Sequence, residues 1–202
     1  MKNFDEIIKL PFEENVIEYG IIKGNNTVCF LKAGANGSMR GYQDKYLEIG
    51  KNLHEKYGYT VVCSSNPYAI QDSLSQGIEV IEKYIQQPYQ VYYMGFSNGA
   101  LQGARNAHLF SQIKRMLLVN GPLVLNLNKT KEGILKFKGE KIVLAYGTED
   151  PSFKYVGLLD NLLSEKVSYI SVQDADHNFV GKLDDFKGLF EQYLIKNDAK
   201  IL

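Results

Sequence analysis

The sequence predicts an α/β fold, a three-layer α/β/α sandwich on a mostly parallel sheet, filling one domain from residue 1 to residue 202. Three observations predict it. Short apolar runs alternate along the chain with segments of helical period. The 202 residues are enough for one full-sized core and too few for two. The composition, 45% hydrophobic and 23% charged, is that of a globular protein and argues against disorder or a coiled coil.

The elements follow in order. Val16 to Ile22 has two-residue character and stops at the turn Gly24-Asn25-Asn26. Thr27 to Leu31 is continuously apolar, as a strand covered on both faces should be, and runs into the small-residue loop from Ala33 to Ser38. Tyr42, Tyr46, Ile49, Leu53 and Tyr57 recur at helical spacing up to Gly58. Tyr59 to Cys63 is a strand broken by Asn66-Pro67, and Leu74, Ile78, Ile81 and Ile85 mark a helix stopped by Pro88. Val91 to Met94 is a strand, and a small-residue helix runs from Asn98 to about Phe110. Met116 to Val119 and Ile142 to Tyr146 are strands, and Val156, Leu159 and Leu163 form a helical stripe. Val167 to Val172 is the last strand, and Leu183, Phe186, Phe190 and Leu194 line the closing helix. Strands joined by helices of this length imply right-handed crossovers, with ligands bound outside the carboxyl ends of the strands.

Charge and cysteine content narrow the class. Twenty-three basic residues cancel 23 acidic ones, so nucleic-acid binding, which draws on a basic excess, is disfavoured. No apolar run reaches the 18 or so residues that span a membrane. The start, Met1 to Ile8, is too acidic and interrupted for a secretory segment. Cys29 and Cys63 are too few for a disulfide framework or a thiolate zinc site and read as small buried thiols in a reduced compartment. The expectation is a cytoplasmic protein with no membrane or nucleic-acid partner; the oligomeric state stays open.

The chemistry-bearing residues fall at predicted strand ends. Gly95-Phe96-Ser97-Asn98-Gly99 lies between a strand and a helix, where a serine on a strained turn is lifted clear of the sheet at a helix N-terminus. A serine hydroxyl needs a base. His54 and His108 lie in or beside helices and suit packing or surface roles, whereas His177 follows the last strand. The imidazole needs an acid to fix its tautomer, and Asp150 follows the strand ending at Tyr146. Asp150 also has the residue type of a helix cap ahead of Pro151. Glu149 should point away, and Asp174 and Asp176 suit loop capping or solvent. The glycines after Leu31 lack the spacing of a dinucleotide or P-loop fingerprint.

With these three positions in the order nucleophile, acid, base, the chain resembles the α/β-hydrolases from about Val16 to Leu194. The resemblance implies an oxyanion hole made by the backbone N–H groups of Asn98 and Ala35. Relatives often carry His-Gly-x-x-Gly-Ser in the second segment; here Gly34, Gly37 and Ser38 match and Ala33 replaces the histidine. Gly34, Asn36, Met39, Arg40 and Phe96 are the expected substrate contacts. Arg40 is equally suited to pair with Asp44 one turn on, and Met39 or Tyr42 to sit in the core. The roughly 22 residues between Val119 and Ile142 leave room for one short helix and not for a substantial cap. The expected activity is cleavage of an ester or thioester of a small or short-chain acyl group, with no metal or organic cofactor. Binding without turnover, acyl transfer to another acceptor and amide cleavage are the alternatives.

Overall fold

The computed structural model describes residues 4–69, 71–85 and 88–196; Met1, Lys2 and Asn3 of the N-terminal stretch lie outside the described residues. Among these, eight strands form one sheet in the order β1-β2-β4-β3-β5-β6-β7-β8. They are β1 (Glu6–Phe12), β2 (Asn15–Ile22), β3 (Asn25–Lys32), β4 (Tyr59–Ser64), β5 (Gln90–Phe96), β6 (Ile113–Val119), β7 (Lys141–Gly147) and β8 (Val167–Val172). β1 and β2 are antiparallel to each other, β2 is antiparallel to β4, and every pairing from β4 through β8 is parallel. The helices are α1 (Lys45–Tyr57), α2 (Leu74–Tyr84), α3 (Asn98–Asn106), α4 (Leu127–Lys136) and α5 (Leu183–Phe190).

The continuous apolar runs have a direct physical cause. Along β7, Ile142, Leu144 and Tyr146 enter the core beneath α2, α3 and α4, while Val143 and Ala145 enter the core beneath α1 and α5. Both faces of a central parallel strand are covered, so every position must be apolar. This is the three-layer sandwich read from the sequence. α1 ends where Gly58 adopts φ 67°, a left-handed cap whose N–H donates to the His54 carbonyl at 2.8 Å.

Three elements differ from the sequence reading. The periodicity assigns no strand before Val16, yet β1 pairs with β2 along seven residues. Ile8, Leu10 and Phe12 pack on the core while Ile7, Lys9 and Pro11 face outward, the alternation of an edge strand. Pro11 is tolerated only because an edge strand has one partner, and Lys9 with Pro11 protects the free edge. The stripe at 156–163 is a 3₁₀ segment over Phe153–Leu162, in which the buried pair Leu159 and Leu162 lies three residues apart. The closing helix changes to π geometry at Glu191–Lys196. There Lys196, Lys56 and Tyr57 converge on Glu191 and hold its carboxyl down at about 2.

Between Val119 and Lys141 the chain forms only α4, which packs on α3 in the outer layer, so the strand ends carry no large cap. The two helices touch at Gly133, where a Cβ would stand 2.2 Å from the Ala104 carbonyl oxygen. A backbone obstacle cannot rotate away, so overpacking outweighs the gain in helix propensity. Gly133→Ala is expected to lower stability by about 1–2 kcal/mol and Tm by roughly 2–6 °C in a thermal scan; an unchanged Tm would mean that the two helices separate at no cost.

Candidate active site

Parallel pairing places the carboxyl ends of five strands on one rim. Lys32 of β3 lies opposite Gly95 of β5, Phe96 opposite Val119 of β6, Val119 opposite Ala145 of β7, and Gly147 opposite Val172 of β8. The loops after these residues therefore meet. Ser97, Asp150 and His177, up to 80 residues apart, are brought together there. Ser97 Oγ donates to His177 Nε2 at 3.1 Å, and His177 Nδ1 donates to Asp150 Oδ2 at 2.5 Å. The Asp150 side chain is fully buried and that of His177 is 39% exposed, so the acid is shielded while the ring reaches solvent. Ser152 N–H donates to the other Asp150 oxygen at 2.6 Å and fixes the carboxylate plane.

Ser97 has φ 52° and ψ −116°, a conformation that an L-residue adopts only when its surroundings impose it. The imposition is visible on both sides. Ser97 N–H is held by the Val119 carbonyl at 2.8 Å, and the Ser97 carbonyl accepts from Leu101 N–H at 3.1 Å. A Cβ on Gly95 would meet Ala100 N at 2.5 Å, and one on Gly99 would meet the Lys32 carbonyl oxygen at 2.6 Å. Only glycine lets strand, turn and helix approach this closely.

The loop after β3 lies against this turn. A Cβ on Gly34 would stand 3.0 Å from Ser97 Cβ and 3.1 Å from Phe96 Cδ1, so the Gly34–Ala35 backbone passes directly beside the serine. Ala35 is exposed, and Asn98 is the first residue of α3. Of the expected substrate contacts, Asn36 is exposed with φ 58° and accepts from Tyr68 N–H through Oδ1. Met39 is buried at 7% exposure in the α1–α5 core. Arg40 is engaged by Asp44 through two bonds of 2.7 and 3.0 Å, the pairing its spacing also allowed. Phe96 is buried, with its ring centroid 5.2 Å from that of His177. Glu149 is exposed, and Asp174 and Asp176 serve the loop, Asp176 Oδ1 accepting from Asn178 and Val180 N–H. His54 bonds the Tyr59 carbonyl near the amino ends of the strands, and His108 lies just past the end of α3.

The structure adds residues that carry no sequence signature. Asn66 was legible only as a strand breaker before Pro67. It is buried, its backbone pairs with Asn36 and Gly37, and its Nδ2 donates to the Ala33 carbonyl and to Asn98 Oδ1, each at 3.0 Å. Gln102 Nε2 donates to Asn66 Oδ1 at 3.2 Å and Asn98 Oδ1 at 2.9 Å. This network joins the Gly34 loop to the start of α3. Two lysines are buried beneath the rim. Lys32 is fully buried with Nζ 3.4 Å from Ser64 Oγ, and desolvation pushes its ammonium down to about 7. Lys45 stands 4.1 Å from the ring centroids of both Phe96 and Phe186 and is pushed down to about 8 by burial, Asp176 opposing. Cys29 and Cys63 are free and buried, and burial raises both thiols.

No family model and no curated protein matches the sequence. Solved structures do match. Est1E from Butyrivibrio proteoclasticus superposes with a TM-score of 0.75 at 9% identity, over 96% of this chain and 99% of that one, and the same protein is known with ferulic acid bound. XC6422 from Xanthomonas campestris, an α/β serine hydrolase without a lid, gives 0.71 at 14% identity over 100% and 99%. An α/β serine hydrolase homologue from Coxiella burnetii gives 0.72 at 16% over 97% and 98%. The likeness spans whole chains on both sides and, at these identities, is one of fold. Among the described residues no helix is long and apolar enough to cross a membrane.

Lys32 makes stability depend on pH. Below about pH 7 both folded and unfolded chains carry the proton, and folding bears the full cost of burying the charge. Between about 7 and the ordinary lysine value near 10.4 the unfolded chain holds the proton more tightly, so this residue makes stability rise with pH. Lys32→Met should therefore stabilise the protein by on the order of a few kcal/mol at pH 6 and by less at pH 9, in urea titrations of both proteins. An advantage that does not shrink between these pH values would contradict the assignment.

Proposed function

Taking a lidless α/β-hydrolase fold as the premise, we propose that this protein is a serine hydrolase cleaving a carboxylic ester or thioester of a small or short-chain acyl group. One observation carries the reading: Ser97 Oγ, both nitrogens of His177 and a buried Asp150 carboxylate form one continuous hydrogen-bonded chain. Solved neighbours described as esterases and serine hydrolases support it, and the ferulic acid bound to Est1E fits a small organic acid as the product class.

The chemistry follows from the geometry. Ser97 Oγ attacks the carbonyl carbon as its proton moves to His177 Nε2. The imidazolium so formed is stabilised by Asp150 Oδ2, which also holds the ring in the tautomer that leaves Nε2 free to accept. The oxyanion is bound by the N–H groups of Asn98, at the N-terminus of α3, and of Ala35, in the loop pressed against Ser97. Nε2 then protonates the departing alcohol or thiol, leaving an acyl-serine. Water deprotonated by His177 attacks this ester, and collapse of the second tetrahedral species releases the acid as the imidazolium returns its proton to Ser97 Oγ. The open strand ends admit substrate without lid movement, and two buried free thiols suit the reducing cytoplasm.

Ser97→Ala should reduce p-nitrophenyl acetate turnover by at least about 10³-fold and abolish fluorophosphonate labelling, with stability within about 1 kcal/mol of the parent. A mutant that still turns over at the parent rate removes Ser97 from the mechanism. Asp150→Asn should lower kcat at neutral pH on the order of 10⁴-fold, because an amide N–H donating to Nδ1 favours the tautomer protonated at Nε2, which cannot accept the Ser97 proton; a loss below about tenfold in steady-state assays would assign the acid elsewhere.

A further inference from the structure

The residue after β6 bonds both the turn that carries Asp150 and the loop that carries His177, and nothing in its sequence context marks it. Asn120 is fully buried and has φ 46°, a left-handed conformation that asparagine tolerates better than most side chains. Its backbone N–H donates to Ala145 in β7 at 2.9 Å. Its side-chain oxygen accepts from Gly147 N–H at 2.9 Å, at the start of the turn that carries Asp150. Its Nδ2 donates to the carbonyls of Asp176 at 3.2 Å and His177 at 3.0 Å. The neighbours complete the hub: Val119 accepts the N–H of Ser97, and the Gly121 carbonyl accepts from Tyr146 Oη at 2.8 Å.

The geometry points to Asn120 as the positioning residue that sets the distance between His177 and Asp150. The two residues sit on separate loops. The acid turn is also tied to β8 and the base loop by Glu149 N–H to the Ala175 carbonyl, Asp174 N–H to Thr148 Oγ1 and Thr148 N–H to the Val172 carbonyl, none of which involves the His177 peptide. Asn120 is the residue that grips the His177 peptide itself while holding Gly147. A primary amide suits the task, because it offers one acceptor to the N–H of one loop and two donors to the carbonyls of the other. Buried and fully satisfied, such a bridge is stiff, and loosening it lets the ring shift relative to the acid without contacting substrate. This role rests on the serine-hydrolase reading for its effect on rate, and not for its effect on geometry.

The test compares the full-length protein with Asn120→Gly, which keeps the left-handed backbone and removes all three side-chain bonds. Asn120→Asp is the second variant; it keeps the acceptor for Gly147 and loses both donors. Gly133→Ala, remote from the rim, controls for instability alone. Measured well below the melting temperatures, both Asn120 variants should show kcat for p-nitrophenyl acetate reduced about 100-fold with KM changed less than about threefold, and slower fluorophosphonate labelling. Gly133→Ala should keep the parent kcat. A crystal structure of Asn120→Gly should show the His177 Nδ1–Asp150 Oδ2 separation opened beyond about 3.5 Å, outside hydrogen-bonding range. A folded glycine variant with parent kcat and an intact His177–Asp150 bond overturns the proposal. So does a loss that follows only the unfolded fraction, or failure of both variants to fold, which would make Asn120 a folding residue. If the parent protein neither turns over the ester nor takes the label, the hydrolase reading fails, and the crystallographic distance alone decides the role of Asn120.

Discussion

The parallel register of β3, β5, β6, β7 and β8 is the constraint on which the rest depends. Because these five strands run the same way and end within a residue or two of one another, the connections that follow them begin at one rim. A serine, an acid and a histidine placed just past three of those ends need no further device to become neighbours. The register is itself enforced by burial. A slip by one residue would exchange the two faces of a strand whose side chains fill two differently shaped cores. The same apolar runs that bury both faces of the sheet therefore fix where Ser97, Asp150 and His177 emerge.

Approximate proximity is not a triad, and the remaining ångströms are supplied by backbone crowding and amide side chains. Gly95 and Gly99 allow α3 to start so close to β3 that Ser97 is forced into a strained turn. Asn66 and Gln102 tie the Gly34 loop to the start of α3, and Asn120 ties the acid turn to the base loop. These are neutral groups with both donors and acceptors, suited to a rim where an unpaired charge would disturb the imidazole. The two buried lysines are the exception. Lys45 is accommodated by two aromatic faces, and Lys32 by little more than one hydroxyl, so each costs folding free energy that the apolar core has to offset.

Ser97, His177 and Asp150 were legible because each follows an apolar run, and an apolar run of strand length announces where a loop begins. The left-handed stop of α1 at Gly58 was legible for the same local reason. β1 was not, since an edge strand needs apolar residues on one side only, and Pro11 reads as a breaker unless its missing partner strand is known. Nor was the engagement of Arg40 by Asp44 decided by spacing, which equally allowed a free guanidinium at the rim.

What the chain determined by itself was the layer architecture, the missing cap and the three side chains that meet at the rim, because these follow from periodicity, segment length and residue type, all properties of neighbours along the chain. Only tertiary structure decided which asparagines hold the loops, which lysines are buried and how far the imidazole stands from its partners. Those depend on contacts between residues dozens of positions apart. An asparagine in a loop looks the same in sequence whether it faces water or two carbonyls from another strand's end.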